Sequence, residues 1–286
     1  MNLPRAAAPA SLPIPQSPVP ELLRDLVHEH TGIYFELDRT GLMFEKLEAR
    51  ALAHGCRSYL DYYYVLRYDT AKSAEEWRRV MDAFSVQETY FWREFDQIRA
   101  LVDYVVPAWF KQNTAPLRVW SSACATGEEP YSIVMALREA GWGSHPIEVW
   151  ASDASEIALT KARTHWYRER SFRALPLALR EKYFTAQGEG WLLNAEVSSR
   201  VKFCWANLVN LEQAAEIPPA QVIFCRNVFI YFSPATIKRV LGAFAGRMPP
   251  QGHLFVGASE SLLKLTTQFD LNELGGAFVY VREPGQ

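Results

Sequence analysis

From Leu117 onward the chain alternates short β-rich runs with helical stretches or longer connections, and this alternation constrains the fold more than any other feature. LRVWSSA, IEVWASD, VKFCWANL, QVIFCRNV and GHLFVGAS are apolar, rich in valine and aromatics, and of strand length. Strands spaced by helical segments pair in parallel, with the crossovers packed on both faces of the sheet. AFVYVRE near the end reads as a last strand at an antiparallel edge. Between Arg168 and Val201, LPLALREKYF and GEGWLLNAEV interrupt the pattern. Two short strands joined through glycines make this stretch, 169–200, a small inserted β-subdomain.

The first third of the chain has a different grammar. PELLRDLVHEHTG carries apolar residues at helical spacing and stops on Gly32, and GLMFEKLEARALAHG repeats the pattern and stops on Gly55. SYLDYYYVLRY and SAEEWRRVMDAF continue it, with Ser58 and Ser73 as N-caps. Residues 20–84 are therefore expected to form an all-helical domain, and 85–286 the α/β domain. The proline-broken residues 1–19 lack the unbroken apolar core of a secretory signal and read as a disordered lead-in.

With 49% hydrophobic and 13% aromatic residues, both units can fill real cores. A net charge of −2 gives no whole-chain attraction to nucleic acid or anionic membrane, and no apolar run approaches the roughly 18 residues of a spanning helix. Cys56, Cys124, Cys204 and Cys225 are scattered without a CxxC pair, so no metal spacing is present and a reduced cytoplasm is expected.

In open α/β sheets ligands bind beyond the carboxyl ends of the strands, near the switch in strand order. After the first strand comes CATGEEPYS, one glycine followed by two glutamates opening a helix. Helix N-termini attract anions, yet this turn has neither GxGxxG nor a GKS/GKT sequence, and paired carboxylates repel a pyrophosphate. They suit a cationic ligand that bears a ribose and no phosphate, which S-adenosylmethionine is. Glu128 then faces its amino group or its sulfonium, while Glu129 is read as favouring the helix dipole. A pair of acids that only stabilises a helix start is the plainer account. Asp153, at the end of IEVWASD, either accepts from ribose hydroxyls or caps the following helix. In SVQETYFWRE, Arg93 lies one helical turn from Thr89 and either clamps a carboxylate or forms a surface ion pair with Glu94 or Glu88. In FCRNVFIYFSP, Arg226, Asn227 and Tyr231 gather polar groups after the fourth strand, and Ser233–Pro234 reads as a helix start.

Together, GEEPYS, the ASD strand end, the Asn207–Leu208 pair after the third strand and CRNVFIYF resemble, in order and spacing, the chemotaxis receptor glutamate methyltransferases called CheR. The resemblance runs from about Ser85 to the C-terminus and continues more weakly through the helical unit. It implies a class I, Rossmann-like, S-adenosylmethionine-dependent methyltransferase domain with an N-terminal helical domain and an inserted β-subdomain. The implied reaction moves a methyl group from S-adenosylmethionine to glutamate side chains on receptor signalling helices, leaving S-adenosylhomocysteine. By matched position the cofactor site takes Gln87, Thr89, Arg93, Glu128, Asp153, Asn207, Leu208, Cys225 and Arg226, with Arg93 and Tyr231 orienting the reacting groups. Gln87 stands where the family usually has asparagine. Lys46 and Arg50 match the basic face expected to meet the receptor, and the insert matches a subdomain that in some members grips a receptor tail peptide. A non-catalytic module that binds the cofactor or its product within a signalling complex is the competing reading.

Overall fold

The computed structural model describes residues 11–69 and 73–283, which divide into two compact units. One comprises the chain up to Val86 together with Tyr231–Ser233; the other comprises Gln87–Ile230 and the chain from Pro234.

In the helical unit α1 is Val19–Thr31, α2 Thr40–Ala53, α3 Tyr59–Tyr68 and α4 Ser73–Phe84. Gly32 ends α1 in the left-handed conformation (φ 78°), its N–H donating to the His28 carbonyl. Ser58 caps α3 with a reciprocal box, since its hydroxyl accepts from the Asp61 N–H and the Asp61 carboxylate accepts from the Ser58 N–H. Leu23, Val27, Met43, Phe44, Leu47, Tyr62 and Val80 fill the core. Part of the expected lead-in, residues 11–18, is described. Leu12 is buried in this core, and its N–H donates to Glu48 Oε1 at 2.9 Å. Residues 11–18 are otherwise mostly exposed, and residues 1–10 lie outside the described ones.

The second unit opens with α5 (Phe95–Ala100) and α6 (Val106–Gln112), joined by a π-helical turn at Leu101–Val105. Then follow β1 (Leu117–Ser121), α7 (Glu128–Glu139), β2 (Ile147–Asp153), α8 (Glu156–Thr164), β3 (Trp166–Tyr167), α9 (Leu177–Tyr183), β4 (Phe184–Gln187) and β5 (Gly190–Leu193). The chain continues with α10 (Ala195–Ser198), β6 (Val201–Trp205), β7 (Val222–Cys225), α11 (Pro234–Gly246), β8 (His253–Val256), β9 (Phe269–Leu274) and β10 (Ala277–Arg282). The main sheet runs β6-β2-β1-β7-β8-β10-β9, parallel through β8 and antiparallel at the last two strands. Every residue of β7 is buried, as a strand covered on both faces requires.

Two details differ from the sequence expectation. The last strand, β10, is not the edge, because β9 pairs outside it across a Gly275–Gly276 turn with both φ positive (60° and 87°). FDLNEL is too polar to read as a strand, and it is tolerated at the edge because only Phe269 is buried there. The small sheet has three strands rather than two, in the order β3-β5-β4, and begins at Trp166, ahead of the expected insert.

Candidate active site

β1 lies between β2 and β7, so the strand order reverses at its carboxyl end and the loops there diverge into a crevice. The loop after β1 is fastened on both sides. Ser122 donates to the Phe224 carbonyl through its N–H (2.8 Å) and its hydroxyl (2.9 Å). The Cys124 N–H donates to the Ser152 carbonyl at 2.9 Å. Gly127 turns the chain into α7 at φ 92°, and a Cβ there would lie 3.0 Å from Ala162 Cβ and 3.1 Å from the Tyr131 ring and the Tyr167 hydroxyl. Only glycine meets both the conformation and the crowding.

Asp153 ends β2 and ties this loop down. Its Oδ2 accepts from the Ala125 N–H and its Oδ1 from the Ser155 N–H, each at 2.9 Å. The cap of α8 is Ser155, whose hydroxyl accepts from the Ala158 N–H, so helix capping does not explain the acid.

The two glutamates differ in their surroundings. Glu128, assigned to the cofactor's cationic groups, is 1% exposed. Its Oε2 accepts from the Thr126 hydroxyl (2.6 Å) and its Oε1 from the Ser171 hydroxyl (3.0 Å). Burial pushes its carboxyl above the usual range. Glu128 fastens the loop to the insert. The carboxylate beside Arg226 is Glu129, which accepts from the Ser121 hydroxyl at 2.6 Å and from Arg226 Nη1 at 3.2 Å. Burial raises the Glu129 pKa as well, against the opposing pull of Arg226.

Arg226, directly after β7, organises the rest of the rim. Nη2 donates to the Arg93 carbonyl at 2.6 Å and lies 3.3 Å from Glu94 Oε2. Its Nε is buried and has no hydrogen-bond partner among the described residues. Glu94 also accepts from Asn227 Nδ2 (3.3 Å) and from the Ala258 N–H (3.0 Å). Burial works to raise its pKa, but Arg226 and these donors outweigh it and hold the carboxyl below the usual range. Trp92, Glu94, Ala125 and Asn227 all take positive φ (66°, 47°, 46° and 59°). Strained non-glycine backbone concentrates where a site is held in shape by its surroundings.

The other expected residues are distributed unevenly. Arg93 is half-buried, with Nη1 donating to the Glu88 carbonyl (2.6 Å) and Nε 3.9 Å from Glu94. Asn207 accepts from the Val209 N–H at 3.2 Å, at the start of the turn after β6, and Leu208 is buried beside it. Gln87 and Thr89 are half-buried in an extended segment. Cys225 is 0% exposed as the last residue of β7, and burial drives its thiol pKa well up, so its side chain does not reach the crevice surface. Tyr231 falls in the helical unit, where its carbonyl accepts from the Tyr34 N–H at 2.9 Å. The basic face read from Lys46 and Arg50 is largely committed. Arg50 Nε and Nη2 donate to buried Glu76 (3.0 and 2.5 Å), and Lys46 donates to the Ala83 carbonyl. Glu260 was missed by the sequence reading, and Glu94 was named there only as a surface partner of Arg93. Glu260 sits within GASES after β8, and the available signal was its position beyond a strand end.

Glu94 and Glu129 pair with Arg226, and Asp153 and Glu260 hold backbone amides of the neighbouring strand-end loops; with Arg93, these strand-end loops carry four carboxylates and two guanidinium groups, a formal charge of −2. Such a rim repels phosphates and attracts a cationic nucleoside, while Arg226 Nε offers a donor to an acceptor such as a carboxylate. S-adenosylmethionine, cationic at sulfur and nitrogen and bearing a diol and a carboxylate, fits that donor set.

Comparison with known proteins agrees. The family profile described as "CheR methyltransferase, SAM binding domain" matches residues 87–276, and "CheR methyltransferase, all-alpha domain" matches residues 21–85. Chemotaxis protein methyltransferase 2 of Vibrio cholerae is 34% identical over 86% of this chain and 86% of its own. The probable biofilm formation methyltransferase WspC of Pseudomonas putida is 33% identical over 91% of this chain, which spans 60% of that longer protein. A solved O-methyltransferase family protein from Burkholderia thailandensis shares 13% identity over 76% of this chain and 61% of its own, with a TM-score of 0.40, too remote to place any residue. Two profiles spanning both units, and relatives aligned along most of their length, give one conclusion: the chain belongs to the CheR methyltransferase family and binds S-adenosylmethionine.

Proposed function

We propose that this protein transfers the methyl group of S-adenosylmethionine to glutamate side chains of chemotaxis-type receptors, forming methyl esters. The observation that carries the reading is the rim of net negative charge at the switch point, in a chain whose relatives are named chemotaxis protein methyltransferases. The bound cofactor supplies a methyl group already activated by positive sulfur. The acceptor glutamate, with a reference pKa of about 4.3, is ionised at neutral pH, so no residue has to remove a proton. The protein's task is placement and exclusion of water, and orientation of two reacting groups supplies about 7–11 kcal/mol at best. In this reading Asp153 holds the ribose and the Glu129–Arg226 pair the methionyl end, with Gln87, Thr89, Asn207 and Leu208 lining the remainder. Arg93 and Tyr231 orient the acceptor carboxylate. Arg93 is supported by its half-buried guanidinium beside Glu94, and Tyr231 by its place in the chain five residues after Arg226.

The finer partner reading belongs to the same proposal. The small sheet ends in β4, whose residues after Phe184 are exposed, an outer strand on which a receptor tail peptide can add by backbone pairing. No helix among the described residues is long and apolar enough to cross a membrane; a reducing cytoplasm as the site of action is supported by four free, buried cysteines.

Incubation with methyl-labelled S-adenosylmethionine and receptor cytoplasmic fragments is expected to leave base-labile label on the receptor. Cofactor binding without transfer to any receptor would instead identify a non-catalytic module. Asp153→Ala removes both the ribose acceptor and the clamp on Ala125. Charge-assisted bonds of this kind contribute about 1.5–3 kcal/mol, so calorimetry should show S-adenosylhomocysteine bound about 10–100-fold more weakly. Unchanged affinity would remove Asp153 from the site.

A further inference from the structure

We infer that Glu260 is a positioning residue for methyl transfer, acting on the cofactor rim through the backbone that follows Arg226. The inference rests on the cofactor reading above. The Glu260 carboxylate collects three backbone donors from two neighbouring strand-end loops. Oε2 accepts from the Asn227 N–H (2.8 Å) and the Gly257 N–H (2.6 Å), and Oε1 from the Ile230 N–H (3.3 Å). Two of these donors lie just beyond Arg226, so an acid on the loop after β8 sets the path of the chain leaving β7. Asn227 is held there at φ 59°, in the sparsely populated left-handed region. From the other side Glu94 Oε1 accepts from Asn227 Nδ2, and Glu94 also pairs with Arg226. Asn227 is thereby latched between two carboxylates, and that latch fixes the backbone from which Arg226 reaches Glu129 and the Arg93 carbonyl.

The approach is close enough to demand glycine opposite. A Cβ on Gly257 would lie 2.6 Å from Asn227 Nδ2 and 2.8 Å from Glu260 Oε2. A carboxylate suits the position because it has acceptor sites on both oxygens and no hydrogens. Glutamine keeps the shape but turns an NH₂ toward backbone N–H groups.

The test compares Glu260→Gln and Gly257→Ala with the wild-type chain. Gly257→Ala disturbs the latch while leaving the carboxylate in place, which keeps the inference testable if one variant folds poorly. Calorimetric dissociation constants for S-adenosylhomocysteine are expected to rise about tenfold in each, with thermal midpoints within about 5 °C of wild type. Because Glu260 acts through Arg226, Glu260→Gln in an Arg226→Lys background should cost less than about threefold, a non-additivity that a merely stabilising residue does not produce. Wild-type affinity in both single variants overturns the inference, as does an undiminished tenfold loss in the Arg226→Lys background. A wild-type protein that binds no S-adenosylhomocysteine overturns the cofactor reading itself and takes this inference with it.

Discussion

Arg226→Ala is expected to weaken S-adenosylhomocysteine binding by at least about 100-fold and to lower the thermal midpoint of the protein by about 10 °C. The side chain is 3% exposed and serves two acids and a carbonyl at once. Removing one partner of a buried pair costs about 3–5 kcal/mol, because the other charge stays behind without compensation. At about 2–4 °C per kcal/mol for a unit of this size, the midpoint shift follows. The loss of affinity follows separately, since 1.4 kcal/mol is about tenfold and the rim loses both a donor and its geometry. The sign of the pH dependence is a sharper check. Burial already raises the Glu129 pKa and Arg226 opposes it, so the variant's Glu129 should titrate higher still. A carboxylate whose folded pKa exceeds its unfolded value destabilises the fold when ionised, and that penalty disappears as pH falls. The variant's stability deficit should therefore shrink as pH falls from neutrality toward the ordinary carboxylate range. A deficit that grows on acidification, or affinity within threefold of wild type, would exclude this role for Arg226.

Arg226 was legible because it sits directly after a strand that reads clearly from its own residues. The five parallel strands carry near-continuous apolar runs, a consequence of burial on both faces, and all five form where expected. β9 was illegible for the opposite reason, since an edge strand exposed along most of its length need not be apolar. Its Gly-Gly turn was the readable signal. β3 has two residues, too few for any periodicity, and exists only through pairing with β5.

The acid pair shows where sequence order stops informing on geometry. Adjacent residues at a helix start point about 100° apart, so one of Glu128 and Glu129 had to face inward. Which one depends on the direction in which α7 leaves Gly127, and that is set by packing against Ala162 and Tyr167, more than 30 residues away. Glu260 escaped notice because its partners are backbone amides, and Glu94 was read only as a surface partner of Arg93 because Arg226 and Asn227 lie far along the chain. Backbone donors have no sequence signature. Arg50 escaped for a related reason, since a charge expected at the surface proved to be the partner of an acid on a different helix.

That acid sets the second large effect. Glu76 is 2% exposed and accepts from Arg50, from Tyr62 (2.5 Å) and from His54 Nε2 (2.7 Å). Burial works to raise its pKa, but the Arg50, Tyr62 and His54 hydrogen bonds prevail and hold it below the ordinary glutamate range. Glu76→Ala leaves the fully buried Tyr62 hydroxyl without this acceptor, while Arg50 and His54, each about one-fifth exposed, can turn toward water. The expected cost is about 3–5 kcal/mol, most of what a helical unit of this size has to lose. Peptides from α2, α3 and α4 should accordingly lose most of their protection in hydrogen exchange. Peptides from the sheet unit should keep theirs, and S-adenosylhomocysteine affinity should hold within about twofold, since the residues read as holding the cofactor lie in the other unit. Glu76→Gln keeps the shape and forfeits the charge, so its loss should be smaller. With a folded pKa below the unfolded value of about 4.3, ionised Glu76 stabilises the unit above that pH, and the contribution is lost as pH falls through the folded value. Wild-type protection factors in α2 to α4 should thus fall on acidification below about pH 4.3, and Glu76→Gln should flatten that dependence. Full protection of these helices in Glu76→Ala would show that the buried acid costs the fold as much in desolvation as its three partners return.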